Sequence, residues 1–184
     1  MTEQRVPEPV RRYESYSHEA MAAEVAAGND PSAAGQIGQQ WAGLGAQLRE
    51  TMQALGTIAE RSRESWQGPA GDAVRATLAK AAGWSEQATE VSLALSDAVN
   101  QQAGIAARAR AEMPPPVAYD PVAMIREAAA GTVLDRIGLS DAMTAKREEA
   151  EAARAKAIDV MNARDGALRA AVPGRSFDPP PELS

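Results

Sequence analysis

The chain has 184 residues, 45% of them apolar but only 4% aromatic, with a formal charge of -6, a single histidine and no cysteine. A disulfide framework, a thiolate metal site and a two-histidine metal site are excluded by that inventory, and the acidic balance argues against a nucleic-acid partner. An apolar share built largely from alanine, with few aromatic strand formers, favours helices packed closely through small side chains over any sheet.

Residues 1–11 are polar and contain Pro7 and Pro9, which reads as a loose tail. They hold no apolar run of the kind a cleaved secretory signal needs. A short helix is expected over 12–27, with Tyr13, Tyr16, Ala20 and Ala23 or Ala27 along one side and Gly28 ending it. Asn29-Asp30-Pro31 then reads as a turn, with Asp30 as N-cap and Pro31 at the first helical position.

The next helix is expected from about 33 to 65. Ile37, Trp41, Leu44, Leu48, Met52, Leu55, Ile58, Ser62 and Trp66 follow one another at spacings of three and four, as one helical face requires. Gly35, Gly38, Gly43, Gly45 and Gly56 each weaken an isolated helix by about 1 kcal/mol relative to Ala, so this helix depends on packing against another. Trp66-Gln67-Gly68-Pro69 stops it. Gly68 accepts a positive φ without penalty, and Pro69 suits the start of the following helix.

That second long helix is expected over about 70–112, with Val74, Leu78, Ala81, Trp84 or Ser85, Ala88, Val91, Leu95, Val99, Gln102, Ile105 and Ala109 on one face. The expected fold is therefore all-α: an elongated antiparallel helical bundle built on a long helix–(Trp-x-Gly turn)–helix hairpin, with a second apolar surface left for a partner. Trp41 and Trp84, 25 residues before and 18 after Trp66, are expected as packing anchors opposite each other on one interface.

Pro114-Pro115-Pro116 forms a rigid break. Tyr119-Asp120-Pro121 repeats the Asp-Pro helix start, and a helix over 121–137 would present Val122, Ile125, Ala129, Val133 and Ile137. After Gly138-Leu139, with Ser140 or Asp141 as cap, a more charged helix is expected over about 141–171, with Met143, Ala150, Ala157, Met161, Leu168 and Val172 inward. Pro173-Gly174 ends it, and the tail RSFDPPPELS is expected to be irregular and to pack back through Phe177. The chain thus divides into a tail and short helix (1–32), the hairpin (33–112), a Pro-rich break with two further helices packing on the hairpin (113–172), and a Pro-rich tail (173–184).

Ser65-Trp66-Gln67-Gly68, set between two amphipathic helices, resembles the Trp-x-Gly signature of the WXG100 superfamily exported by type VII (ESX) secretion systems. The resemblance covers about 33–112. The added Pro-rich break and helices make the whole chain similar to PPE-like, secretion-associated proteins of actinobacteria. It implies a non-enzymatic protein, secreted or displayed at the cell surface without a cleaved signal peptide and cytoplasmic before export. Its partners would be a small helical WXG100- or PE-like protein carrying a Tyr-x-x-x-Asp/Glu signal, or a second copy, together with the secretion machinery.

Trp66 and Gly68 would form the recognition end, and Ile37, Trp41, Leu44, Leu48, Leu55, Val74, Leu78, Trp84, Val91 and Leu95 the interface or core. The chain departs from the family in lacking the export signal itself, since Tyr13, Tyr16 and Tyr119 are followed at +4 by Ser17, Ala20 and Ala123. Pro7-Glu8-Pro9 is only a loose echo of Pro-Pro-Glu. No catalytic residue, metal or cofactor is expected, because His18 stands alone and Glu148-Glu149 reads as a solvated face. No run of eighteen apolar residues offers a membrane-spanning helix. A self-assembling ring or other homo-oligomer and a cytoplasmic helical adaptor are the alternative roles.

Overall fold

The computed structural model describes residues 11–27 and 30–182, and among the described residues every regular element is helical. A single 3-10 turn, Tyr13–Ser15, is followed by α1 (His18–Ala26), α2 (Pro31–Ser65), α3 (Pro69–Glu112), α4 (Pro121–Ala130), α5 (Val133–Ile137) and α6 (Leu139–Ala170). The two Asp-Pro starts act as expected. The Asp30 carboxylate accepts from the Ser32 and Ala33 amides at 2.9 and 3.0 Å, and Asp120 accepts from Ala123 at 3.0 Å.

Three elements differ from the sequence reading. The helix expected over 12–27 is broken at Tyr16, whose backbone is extended, and Ser17 caps α1 by accepting from the Ala20 amide at 3.1 Å. The Tyr pair therefore does not share a helical stripe with Ala20 and Ala23. Gly28 lies outside the described residues. The helix expected over 121–137 is two helices, because Gly131 is extended and Thr132 and Asp135 form a reciprocal capping box that starts α5. The last helix begins at Leu139 rather than 141, so neither Ser140 nor Asp141 is its cap: Gly138 is already helical in φ and ψ, and its carbonyl accepts from Ala142 at 3.0 Å.

Contacts divide the chain into two compact units, one joining the opening segment to Ile105–Ala170, the other joining Asp30–Gly104 to the tail from Ala171. The first has an apolar core of Tyr13, Met21, Val25, Ala109, Ala157, Val160 and Met161. Polar groups bury with it only where they are paired. The Tyr13 hydroxyl donates to Asp165, while Arg164 reaches Glu24 at 2.8 Å and Asp165 at 2.9 Å. Burial, and then that hydrogen bond, push the Tyr13 phenol above its ordinary pKa. His18 is buried with its Nε2 2.9 Å from the Pro114 carbonyl. A carbonyl only accepts, so Nε2 carries the proton and the imidazole ties α1 to the Pro-rich break.

The second unit has a core of a different kind. Alongside Ala88, Val91 and Ala98 it buries Ser62, Ser85, Thr89, Ser92 and Ser96. Helices α2 and α3 run antiparallel: Gly38 faces Asn100, Gly45 faces Leu93 and Ser92, and Arg75 reaches Ser62. A Cβ on Gly38 would stand 2.7 Å from the end of the Asn100 side chain, which would have to turn aside to admit it. The close approach brings the Ser96 hydroxyl to 2.8 Å from the Gly38 carbonyl and the Thr89 hydroxyl to 3.4 Å from that of Gly45.

Candidate functional site

The segment between α2 and α3 is assembled from backbone first. The Trp66 amide donates to Ser62 at 2.9 Å, closing the last turn of α2, and Trp66 then turns extended. Gly68 takes φ +92°, a conformation that side-chain-bearing residues rarely adopt, and its carbonyl accepts from Asp72 at 3.1 Å in the first turn of α3. Arg75 reaches back across the turn, donating to the Trp66 carbonyl at 2.9 Å while pairing with Asp72. A cation on the unpaired carbonyls of a helix C-terminus is favourable in both charge and hydrogen bonding. The i,i+3 pair with Asp72 is local, but nothing in the sequence marks Arg75 for the carbonyls of Ser62 and Trp66, which lie on the other side of the turn.

The Trp66 indole itself is 55% exposed. The turn is thus built by backbone, Gly68 and Arg75, and the aromatic face is displayed rather than used to close it.

The expected packing residues divide into three groups. Val91 is buried, whereas Trp41, Leu48, Leu55, Leu78, Trp84 and Leu95 are half-buried, and Ile37, Leu44 and Val74 are exposed. The reason lies in which line of α2 faces α3. Gly38 and Gly45 are seven residues apart and sit at the contact, which turns the adjacent line of Ile37, Leu44 and Ile58 outward. The apolar stripe read from the sequence is therefore split, half against α3 and half to solvent. A further exposed group stands on α4 and α5: Val122, Ile125, Val133 and Ile137, four of the five residues expected on one face of a single helix, together with Leu134.

Trp41 and Trp84 do not stand opposite each other. In the register set by Gly45 and Leu93 they are offset by about thirteen residues, or roughly 20 Å along the helices. What joins them is the tail. The tail packs back through Phe177 as expected, and the structure adds its partner: Phe177 stacks on Trp41 with ring centres 5.9 Å apart, while the Trp84 indole N–H donates to the Asp178 carbonyl at 3.0 Å.

No family model matches the chain, and no curated protein matches it. The site stands on its own chemistry. Among the described residues no group of three or more His, Cys, Asp or Glu side chains is placed to hold a metal ion, and no helix is long and apolar enough to cross a membrane. Among the described residues the exposed large apolar side chains include Ile37, Leu44 and Ile58 on α2, Val122 and Ile125 on α4, and Trp66.

Proposed function

We propose that this chain is a non-enzymatic interaction protein of the type VII (ESX) secretion kind, built on a WXG-type helical hairpin and acting through helical pairing with a small partner. The observation that carries the reading is Trp66, more than half exposed on a Trp-x-Gly turn that does not need its side chain for closure. Two helices of 35 and 44 residues flank that turn, and Ile37, Leu44 and Ile58 form one exposed line along the first. Their spacings of seven and fourteen residues, with Thr51 at the position between, keep them on one side of the helix, where a partner helix could lie alongside. Burial of such a line supplies about 25 cal/mol per Å² before the costs of association. The partner would carry the Tyr-x-x-x-Asp/Glu signal that this chain lacks, completing a composite export surface beside Trp66.

Trp66→Ala tests this in a type VII-competent host. The variant is expected to keep its helical content by circular dichroism while its amount in the culture medium, or in a co-purified complex, falls. Unchanged secretion and unchanged complex would reject the proposal. A fixed homo-oligomer by light scattering, with no partner needed, would favour self-assembly instead.

A further inference from the structure

The tail segment Arg175–Pro181 carries no helix, yet it is held to α2 and α3 at three points of different chemistry. Phe177 stacks on Trp41 at an interplanar angle of 27°, Asp178 offers its carbonyl to the Trp84 indole, and Arg175 pairs with Glu90 at 2.6 Å. Pro179 and Pro181 line the same groove as Trp84. The sequence explains why such a segment presents a carbonyl there. A residue preceding proline is confined to extended geometry, and Pro179-Pro180-Pro181 continues it as polyproline II, whose carbonyls have no internal partners. An indole N–H is a pure donor, so Trp84 satisfies that carbonyl without asking the proline backbone for an amide it lacks.

We propose that Trp41, Trp84 and Glu90 form a receptor for a proline-rich peptide of the type Arg-x-Phe-Asp-Pro-Pro, and that its occupant is the chain's own Arg175–Pro181, held as a strap across the second unit. Each contact has a separate role. Trp41 takes the aromatic ring, Trp84 reads the carbonyl just before the proline run, and Glu90 sets direction by choosing the end that carries arginine. The Arg175–Glu90 pair is largely exposed, so it contributes orientation more than affinity. Tethering through the short Val172-Pro173-Gly174 link gives the strap an effective concentration in the millimolar range, which keeps the receptor filled in the intact chain.

The test uses the whole chain. Phe177→Ala loosens the strap and leaves the receptor residues untouched; the exposed substitution Arg175→Glu is a second background should the first fold poorly. Each is titrated with a synthetic peptide of residues 172–182, followed by tryptophan fluorescence and the Trp84 indole resonance. Saturable binding is expected in both backgrounds, at least about ten-fold tighter than to the wild-type chain, whose own strap competes. Adding Trp84→Phe, which keeps the ring but removes the N–H, is expected to weaken binding about ten-fold, in line with loss of one hydrogen bond. The proposal is overturned if the peptide fails to saturate either loosened variant, if wild type binds it equally well, or if Trp84→Phe changes nothing. The readout is peptide binding alone, so it succeeds or fails independently of any helical partner.

Discussion

Replacing Gly71 and Gly43 with alanine, one at a time, should shift stability in opposite directions. Both lie in helices, and by intrinsic propensity each change is worth up to about 1 kcal/mol of stabilisation. Gly43 has open space around it, so its alanine should deliver that gain. At Gly71 the new Cβ would stand 2.3 Å from the Trp66 carbonyl oxygen and 2.9 Å from its carbon, which are backbone atoms with little freedom to yield. Relieving the clash means moving the carbonyl that accepts from Arg75 at 2.9 Å. Overpacking of this kind costs about 1–3 kcal/mol, and with backbone atoms at 2.3 Å the cost lies toward the upper end, so a propensity gain of up to about 1 kcal/mol leaves a net loss of up to about 2 kcal/mol. For a chain of this size that is a fall of a few degrees in Tm, while Gly43→Ala should rise by about 2 °C. Thermal and urea unfolding followed by circular dichroism would measure both. If the two alanines stabilise alike, the tight junction between α2 and α3 described above is wrong.

Tyr13→Phe removes the hydroxyl that donates to Asp165 and should cost about 1–2 kcal/mol. Because burial and that bond raise the Tyr13 pKa, its contribution is complete below the ordinary tyrosine value and is lost as pH rises through the raised one. Urea unfolding against pH should therefore show an alkaline decline that is smaller in the Phe variant, and identical declines would count against the assignment. Met161→Ala empties a fully buried position in the first unit and should cost about 2–4 kcal/mol in the same unfolding assay; a loss under about 0.5 kcal/mol would mean the core had been misplaced. The Asp135 carboxylate, held below its ordinary pKa by the Thr132 hydroxyl and amide, supports α5 above the usual aspartate range and releases it as pH falls through the lowered value. Protection factors across Val133–Ile137, that is exchange rates normalised to the intrinsic rate at each pH, should fall in acid, and equal protection in acid and at neutral pH would refute the cap.

The long helices were legible because periodicity and punctuation agree in them. Asp30-Pro31 and Asp120-Pro121 announce starts that the structure keeps, and Gly68-Pro69 announces the interruption before α3. Short elements were not legible. Tyr16 and Gly131 break helices through backbone choices that the apolar spacing around them does not encode. The facing of α2 was misread for a related reason. Hydropathy weights Ile37 and Leu44 above Gly38 and Gly45, yet the contact with α3 is made where the side chain is missing and a neighbouring hydroxyl can reach the carbonyl. Arg75 reaches a carbonyl nine residues back across the turn, and Trp84 anchors Asp178 from 94 residues away; neither contact follows a helical spacing that could be read.

The hydroxyl-to-carbonyl bonds of the second unit also have a mechanical meaning. Thr89 and Ser96 are spaced like Gly45 and Gly38, so the two helices engage as a pair of teeth in a pair of notches. Sliding one past the other by a heptad, about 10 Å, moves Ser96 to the Gly45 position but sets Thr89 against Met52. A greasy seam carries no directional bonds along its length; here two hydroxyl-to-carbonyl pairs specify one register of α2 on α3.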